Sequence, residues 1–264
     1  PAIVQKRDGA FNYATTDLAT LEYRTQNWKP DQILYVTDGR QQLHFKQIFT
    51  TFNRWKPKIK VKLIHVWFGT ILGNDGKPFK TRSGEVIKLA DLLNEAEERA
   101  LAVVSEKNPD LPEETRRNIA RVVGIGAVKY ADLLPSRQSD YQFSWDKMLA
   151  FNGNTAPYLL YAYARIRSIF RKNHDEFSSS FKPESIEEKD LTFSTPQELS
   201  LSKHLFSFGI TLEQVAEDSR PNILCNYLYD LAGLFASFYE NCPVLKALGA
   251  EKTSRLALCH LTAK

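Results

Sequence analysis

A glycine-rich loop at residues 73–84 holds the densest cluster of chemically capable side chains in the sequence. It combines three cations with two hydroxyls, contributed by Lys77, Lys80, Thr81, Arg82 and Ser83. Lysines on such a loop can close over a polyphosphate and compensate the negative charge of a leaving group. The G-x-x-x-x-G-K-[ST] pattern of a P-loop is absent. The loop residues alone therefore leave phosphate binding and a solvated hairpin as equal alternatives.

Two polar pairs lie nearer the N-terminus. Asp17 can accept two hydrogen bonds from a guanidinium or amine while Tyr13 packs against the same cation. Alternatively, Asp17 caps a helix that begins at Leu18. Gln41 and His44 lie at a strand-to-helix turn, where an amide and an imidazole can contact an amino group, a ribose hydroxyl or a base edge. For this second pair, helix capping is the structural alternative.

A third candidate site lies on a tyrosine-rich helix. Tyr158, Tyr161 and Arg165 occupy positions i, i+3 and i+7, which share one helical face. Aromatic rings beside a guanidinium suit unstacked RNA bases. An amphipathic helix whose tyrosines cover a core explains the same pattern, and the residues alone favour that interpretation.

Alternating strands and helices must position the first two sites. Apolar runs at residues 33–37 and 61–68 predict strands, and helical spacing at residues 43–55 predicts a helix between them. This order predicts a parallel sheet with a right-handed crossover. Ligands bind at the carboxyl ends of parallel strands, so we expect a site after Thr37 and after Phe68.

From residue 88 onward the pattern is helical. A capping box at Thr195 and Glu198 opens one helix, and Gly124 and Gly126 indicate close helix packing rather than a dinucleotide site. The predicted helices cover residues 89–104, 112–134, 156–172, 199–208, 211–218 and 221–239, with a last one beginning at 252.

Charge is unevenly distributed along the 264 residues, whose formal net charge is +4. Residues 1–90 contain 15 Lys and Arg against 7 Asp and Glu, which leaves 20 against 24 for the remainder. A basic segment suggests an anionic partner such as a nucleotide or nucleic acid. The alternating lysines of residues 56–62 also fit the solvated outer side of a strand.

Cysteine, histidine and hydropathy patterns exclude several classes of protein. Cys225, Cys242 and Cys259 lie far apart in apolar surroundings, which predicts buried free thiols. The five histidines lack metal-ligand spacing, so we expect no metal site. No window approaches the length of a membrane helix, and the first residues lack the charged-then-apolar order of a signal peptide. We therefore expect a cytoplasmic protein without a membrane partner.

Six segments together resemble the C-terminal half of a bacterial-type arginyl-tRNA synthetase, a class I aminoacyl-tRNA synthetase. They are residues 13–19, 43–45, 79–84, 123–132, 143–147 and 154–167. The segments occur in the family's order and span nearly the whole chain, so the set is far more specific than any one of them.

This resemblance implies roles for the candidate residues. The loop residues Lys77, Lys80 and Thr81 resemble the family's degenerate form of the catalytic KMSKS signature, whose lysines stabilise the ATP phosphates. The other implied roles are arginine binding by Tyr13, Asp17 and Gln41, ATP contact by His44 with the two lysines, and anticodon contact by Tyr158, Tyr161 and Arg165.

The resemblance also implies an architecture and a reaction. We expect an α/β second half of a Rossmann-type parallel-sheet catalytic domain at residues 1–87, connecting helices at 88–143, and an all-α anticodon-binding bundle, truncated at its C-terminus, at 144–264. The reaction is activation of arginine by ATP and its transfer to the arginine tRNA. ATP with Mg²⁺ enters as a substrate, no metal is tightly bound, and the parent enzyme is expected to be a monomer.

One departure from the family bears on activity. None of the five histidines belongs to the H-x-G-H signature that class I synthetases need to position ATP. We therefore expect this chain to be a piece of the enzyme that is inactive alone. A non-catalytic tRNA-binding module and a metabolic ATP-dependent ligase on a related fold remain alternatives.

Overall fold

The computed structural model describes residues 3–73, 75–78, 88–177, 186–187, 189 and 191–264. The chain forms two compact units. The first comprises residues 1–78 and 137–142, and the second comprises residues 79–136 and 143–264.

The first unit is built on a strand, a helix and a strand. Its main elements are α1 (Tyr13–Asn27), β1 (Gln32–Asp38), a 3-10 turn (Gly39–Gln41), α2 (Gln42–Trp55) and β2 (Lys62–Phe68). The two strands pair in parallel, from Gln32 opposite Lys62 to Asp38 opposite Phe68. The predicted order and the parallel pairing are thus confirmed, although β2 begins only at Lys62, so the lysines before it precede the strand.

Helix α1 buries Leu21 against α2, where Ile48 and Phe52 form the other side of the same core. The helix begins earlier than predicted, because the Asn12 side chain accepts hydrogen bonds from the N–H groups that follow it. The interpretation of Asp17 as an N-cap is therefore wrong, since Asp17 lies in the second turn of α1.

Two very short strands complete the first unit. Strand β3 (Ile71–Leu72) pairs in parallel with β4 (Tyr141–Gln142), which comes much later in the chain. This pairing brings residues 137–142 into the first unit.

The described part of the second unit is helical. Its helices are α3 (Leu89–Lys107), α4 (Glu113–Leu133), α5 (Trp145–Met148), α6 (Ala156–Phe177), α7 (Pro196–Phe206), α8 (Phe208–Asp218), α9 (Pro221–Asn241) and α10 (Gly249–Ala263). Seven of these were predicted, whereas the single turn α5 was not. None of the described helices is long and apolar enough to span a lipid bilayer.

The helical unit has one large apolar core, in which Phe235 and Phe238 of α9 are fully buried. All three cysteines are buried, as predicted. Burial raises the pKa of the Cys225 thiol, and it raises the pKa of Cys259 to about 12. Both thiols therefore stay protonated and unreactive at neutral pH.

A buried charged network ties the start of α7 to α10. The capping box is confirmed: the Thr195 hydroxyl accepts the Glu198 N–H, and the Glu198 carboxylate accepts the Thr195 N–H at 3.0 Å. The other oxygen of Glu198 accepts a 2.7 Å hydrogen bond from Arg255 Nε. Arg255 also pairs with Glu251 on its own helix. Glu198 is 0% exposed and Arg255 is 5% exposed, so this ion pair is shielded from water.

Helices α3 and α4 approach each other closely at a glycine. A Cβ on Gly124 would lie 2.6 Å from the carbonyl oxygen of Ala96 in α3. The predicted close packing is therefore confirmed at Gly124. At Gly126 the nearest heavy atom to such a Cβ is a methyl carbon of Leu160, at 4.0 Å.

The two glycines make a matched pair for substitution. We expect Gly124→Ala to lower the free energy of unfolding by about 1–3 kcal/mol, because the new methyl group pushes two helix backbones apart. Gly126→Ala has room for its methyl group and gains up to about 1 kcal/mol in helix propensity. Urea unfolding followed by circular dichroism measures both changes. Equal effects of the two substitutions would contradict the close approach at Gly124.

Candidate catalytic half-site and anticodon helix

Three of the predicted site residues meet in the first unit. Asp17 lies in α1 and His44 in the first turn of α2, and His44 Nε2 lies 2.6 Å from an Asp17 carboxylate oxygen. A carboxylate only accepts hydrogen bonds, so the imidazole donates. The Tyr13 ring packs against His44 with 4.8 Å between centroids. We call Tyr13, Asp17 and His44 the acidic cluster.

The acidic cluster is open to ligands. His44 bonds one Asp17 oxygen, Oδ2, and no described residue bonds the other. The Tyr13 ring is 70% exposed. A cation can therefore approach both the free carboxylate oxygen and the ring.

Gln41 stands at the N-cap position of α2, three residues before His44. Its side chain is exposed and makes no capping hydrogen bond, and His44 bonds Asp17 instead of the helix N-terminus. Neither residue therefore acts as the helix cap that was the alternative interpretation. Both stand where α2 leaves the carboxyl end of β1, at the edge where a parallel sheet binds ligands.

His65 is a part of this region that sequence reasoning missed. It lies in β2, and its Nε2 shares a 2.7 Å hydrogen bond with the Thr37 hydroxyl of β1. Its ring packs on Phe45 of α2 with 4.7 Å between centroids. Burial, Arg137 and His44 lower the pKa of His65, so the neutral imidazole is favoured. A histidine inside an otherwise apolar strand was the available signal.

The described part of the glycine-rich loop is a tight turn. Gly73 N–H donates to the Lys77 carbonyl at 2.7 Å, and Lys77 N–H donates to the Asp75 carboxylate at 3.1 Å. The Lys77 side chain is exposed. Within the described residues, no hydrogen bond or ion pair joins Lys77 to the acidic cluster. Lys80 and Thr81, predicted to act beside Lys77, lie outside the described residues.

The tyrosine helix is α6 in the second unit. Arg165 Nη2 donates to the Tyr161 hydroxyl at 2.7 Å, and its guanidinium carbon lies 4.7 Å from the Tyr161 ring centroid. The same guanidinium lies 4.9 Å from the ring of Tyr239 in α9. Tyr158 packs on Tyr229 of α9 with 5.7 Å between centroids.

Core packing accounts for only part of this face. Tyr158 is half-buried, whereas Tyr161 is 52% exposed. The guanidinium held between two rings fixes the orientation of Tyr161 and leaves its ring open to solvent. The face therefore offers a preorganised aromatic platform beside a cation, which suits base stacking.

No group of three or more His, Cys, Asp or Glu side chains is placed to hold a metal ion in the part of the chain that the structure describes.

Two known domain families match successive parts of the chain. The family described as tRNA synthetases class I (R), catalytic domain, matches residues 1–145. The DALR anticodon binding domain matches residues 159–264. The chain thus carries part of a class I tRNA synthetase catalytic domain followed by an all-helical anticodon-binding domain.

Similar proteins narrow this class. The arginine–tRNA ligase of Laribacter hongkongensis is 53% identical over 99% of this chain and 44% of its own length. The arginyl-tRNA synthetase of Plasmodium falciparum matches with a TM-score of 0.82 at 33% identity, over 98% of this chain and 43% of that one. The arginyl-tRNA synthetase of Thermus thermophilus matches with a TM-score of 0.83 at 25% identity, over 99% of this chain and 48% of that one. The chain belongs to the arginyl-tRNA synthetase family and spans less than half the length of these relatives.

Proposed function

We propose that this chain provides the second half of the catalytic site and the anticodon-contacting helix of an arginine–tRNA ligase that works in the cytoplasm. In the reaction, the arginine carboxylate attacks the ATP α-phosphate to give arginyl-adenylate and release pyrophosphate. The arginyl group then passes to the terminal ribose of the arginine tRNA, and AMP leaves. ATP enters with Mg²⁺ as a substrate.

The acidic cluster carries the proposal for arginine. The guanidinium of the substrate donates to the free Asp17 oxygen and lies against the exposed Tyr13 ring. Because His44 holds the other oxygen of Asp17, the carboxylate is oriented before the substrate arrives. Gln41, on the same end of α2, contacts the bound amino acid.

The ATP contacts are assigned to His44 and the loop lysines. His44 links the two substrates, since it bonds Asp17 and lies at the carboxyl edge of the sheet. Lys77 and Lys80, with Thr81, stabilise the phosphates as pyrophosphate leaves. Lys77 supports this role by its exposure on a glycine-rich turn.

The anticodon loop is assigned to the face of α6 that carries Tyr158, Tyr161 and Arg165. The support is the exposed, guanidinium-backed ring of Tyr161 within the region that matches an anticodon-binding domain. The proposed divisions are residues 1–87 for the catalytic part, 88–143 for the connecting helices and 144–264 for the anticodon-binding bundle, with the parent enzyme a monomer.

The 264 residues contain no H-x-G-H sequence, so the chain holds only half of the groups that activate ATP. We therefore propose that the isolated chain binds the arginine tRNA and does not activate arginine. A module used only for tRNA binding is the second candidate function, and the same missing sequence favours it.

Two measurements on the purified 264-residue chain test these assignments. We expect no arginine-dependent ATP–pyrophosphate exchange above background. We also expect filter binding to favour an arginine tRNA transcript over the same transcript with its anticodon replaced. Measurable exchange would refute the half-site proposal, and equal binding of the two transcripts would refute the anticodon assignment.

A further inference from the structure

A basic surface of the first unit has no part in the sites above. Residues 39–74 contain seven Lys and Arg residues and no Asp or Glu. Five of the seven lie between the last turn of α2 and the first residue of β2, namely Arg54, Lys56, Lys58, Lys60 and Lys62. These residues lie at the opposite end of α2 from His44, and the rise of the helix from His44 to its last residue, Trp55, is about 16 Å.

Among the described residues, four of these five cations have no ion-pair partner. Lys56 is the exception, since its Nζ lies 2.5 Å from a Glu22 carboxylate oxygen and 4.3 Å from the Trp55 ring centroid. Lys58, Lys60 and Lys62 are exposed, and no ion pair holds them among the described residues. Unpaired like charges repel one another, and a bound anion relieves that repulsion.

Two of these lysines, Lys60 and Lys62, line a concave surface, and Lys58 lies close to them in the chain. An open cleft of about 520 Å³ is lined by Asn53, Pro57, Ile59, Lys60, Val61 and Lys62. Lys56 to Lys60 precede the strand, so this run is not the outer side of a strand. A turn at Lys56, whose carbonyl accepts the Ile59 N–H at 3.1 Å, separates the lysines from α2.

An exposed aromatic residue lies in the chain between two residues that line this cleft, Asn53 and Pro57. Trp55, the last residue of α2, is 48% exposed and lies next to Lys56. Asn53, two residues before Trp55 in the last turn of α2, lines the cleft and offers a side-chain amide for hydrogen bonding. An indole beside lysines is the combination with which proteins bind single-stranded nucleic acid, through base stacking and phosphate contacts. A concave cleft flanked by exposed lysines fits a phosphate chain better than it fits a flat lipid surface.

We propose that this basic cleft binds single-stranded RNA, with phosphates against Lys58, Lys60 and Lys62 and a base stacked on Trp55. The site is separate from the acidic cluster and from the face of α6, and it does not depend on the proposed function. Unpaired RNA is required because a base must be free to stack on the indole.

The first test uses the full chain and a fluorescent oligouridine of about 15 nucleotides, close to the largest single-domain site sizes. Anisotropy titrations at about 50 mM and about 200 mM salt give the affinity and its salt dependence. We expect Lys58→Gln/Lys60→Gln/Lys62→Gln to weaken binding at least tenfold at low salt. The slope of log K against log salt should become shallower by about 2, since each lost phosphate contact removes about 0.7.

Two further variants separate stacking from charge. Trp55→Ala should weaken binding about fivefold or more and keep the salt slope, because it removes a stacking surface without changing charge. Lys6→Gln/Lys129→Gln/Lys203→Gln removes the same charge from exposed lysines elsewhere and should change the affinity less than twofold. Melting curves establish that every variant is folded before it is titrated.

Three results would overturn the proposal. One is an equal loss in the two triple-lysine variants, which would mean that only net charge matters. Another is loss of oligouridine binding in Tyr161→Ala with the cleft variants unaffected, which would place the RNA on α6. The third is lysine-dependent binding to phosphatidylserine-rich vesicles with RNA binding unchanged, which would make the cleft a lipid surface.

Discussion

Arg255→Ala should lower the free energy of unfolding by about 3–5 kcal/mol, the largest stability loss that we expect from a single substitution in this chain. Arg255 supplies the cation for a carboxylate that has no access to water, since Glu198 is 0% exposed and the pair is 2.7 Å apart. Removing the guanidinium leaves that charge buried and unpaired. It also removes the 3.3 Å hydrogen bond to the Pro243 carbonyl.

An exposed pair of the same chemistry provides the matched control. Arg117 Nη2 lies 2.7 Å from a Glu113 oxygen, a distance equal to that of the buried pair, but the two side chains are 64% and 67% exposed. Arg117→Ala should therefore cost no more than about 0.5 kcal/mol. Urea unfolding monitored by helical circular dichroism measures both variants. Similar losses for the two would show that burial does not govern the effect.

Acid titration tests the same pair independently. Burial by itself would raise the pKa of Glu198, but hydrogen bonds from Arg255 and from the N–H groups of Thr195 and Ser194 outweigh it and lower the pKa below its ordinary value of 4.5. In the wild-type protein, the stabilisation from the Glu198 charge is fully present above pH 4.5. It is lost as the pH falls through the lower pKa that Glu198 has in the folded state. In the Arg255→Ala variant, the burial of Glu198 dominates, so the pKa of Glu198 in the folded state rises. Protonation of Glu198 then removes the unpaired buried charge. The stability difference between Arg255→Ala and wild type should therefore narrow as the pH is lowered from 7.

Local sequence patterns predicted the features that depend on neighbouring residues. The apolar runs gave β1 and β2 because strand length and β-branched content are local properties. Thr195 and Glu198 gave a capping box because its two hydrogen bonds join residues three positions apart. Local spacing did not identify the start of α1, because Asn and Asp are both good caps; Asp17 was considered as the cap, whereas Asn12 occupies that position.

Contacts between residues that are far apart in the sequence could not be predicted from those local patterns. His44 and Asp17 are 27 residues apart, and Arg255 and Glu198 are 57 apart. Each pair depends on how two helices pack, which no local spacing encodes. The family resemblance supplied roles for Asp17 and His44 separately, but not the hydrogen bond that joins them. His65 was missed for the same reason, because its partner Thr37 lies on the neighbouring strand.

Tyr161→Ala should weaken binding of the arginine tRNA by about fivefold to 150-fold, while the stability of the helical unit changes little. The expected loss is that of one stacked base, about 1–3 kcal/mol. Tyr161 can carry it because the ring is 52% exposed and is held by Arg165. Tyr161→Phe keeps the ring and should lose much less.

Tyr163 is the control on the same helix. It is 47% exposed, but two residues along a helix turn the side chain by about 200°, away from Tyr161. Tyr163→Ala should therefore leave tRNA binding within about twofold of wild type, since it removes an aromatic ring of similar exposure from another face. Filter binding at fixed salt measures all three variants against arginine tRNA transcripts with native and replaced anticodons. If Tyr161→Ala and Tyr163→Ala lose equal affinity, or if the loss at Tyr161 is the same for both transcripts, then the anticodon does not lie on this face of α6.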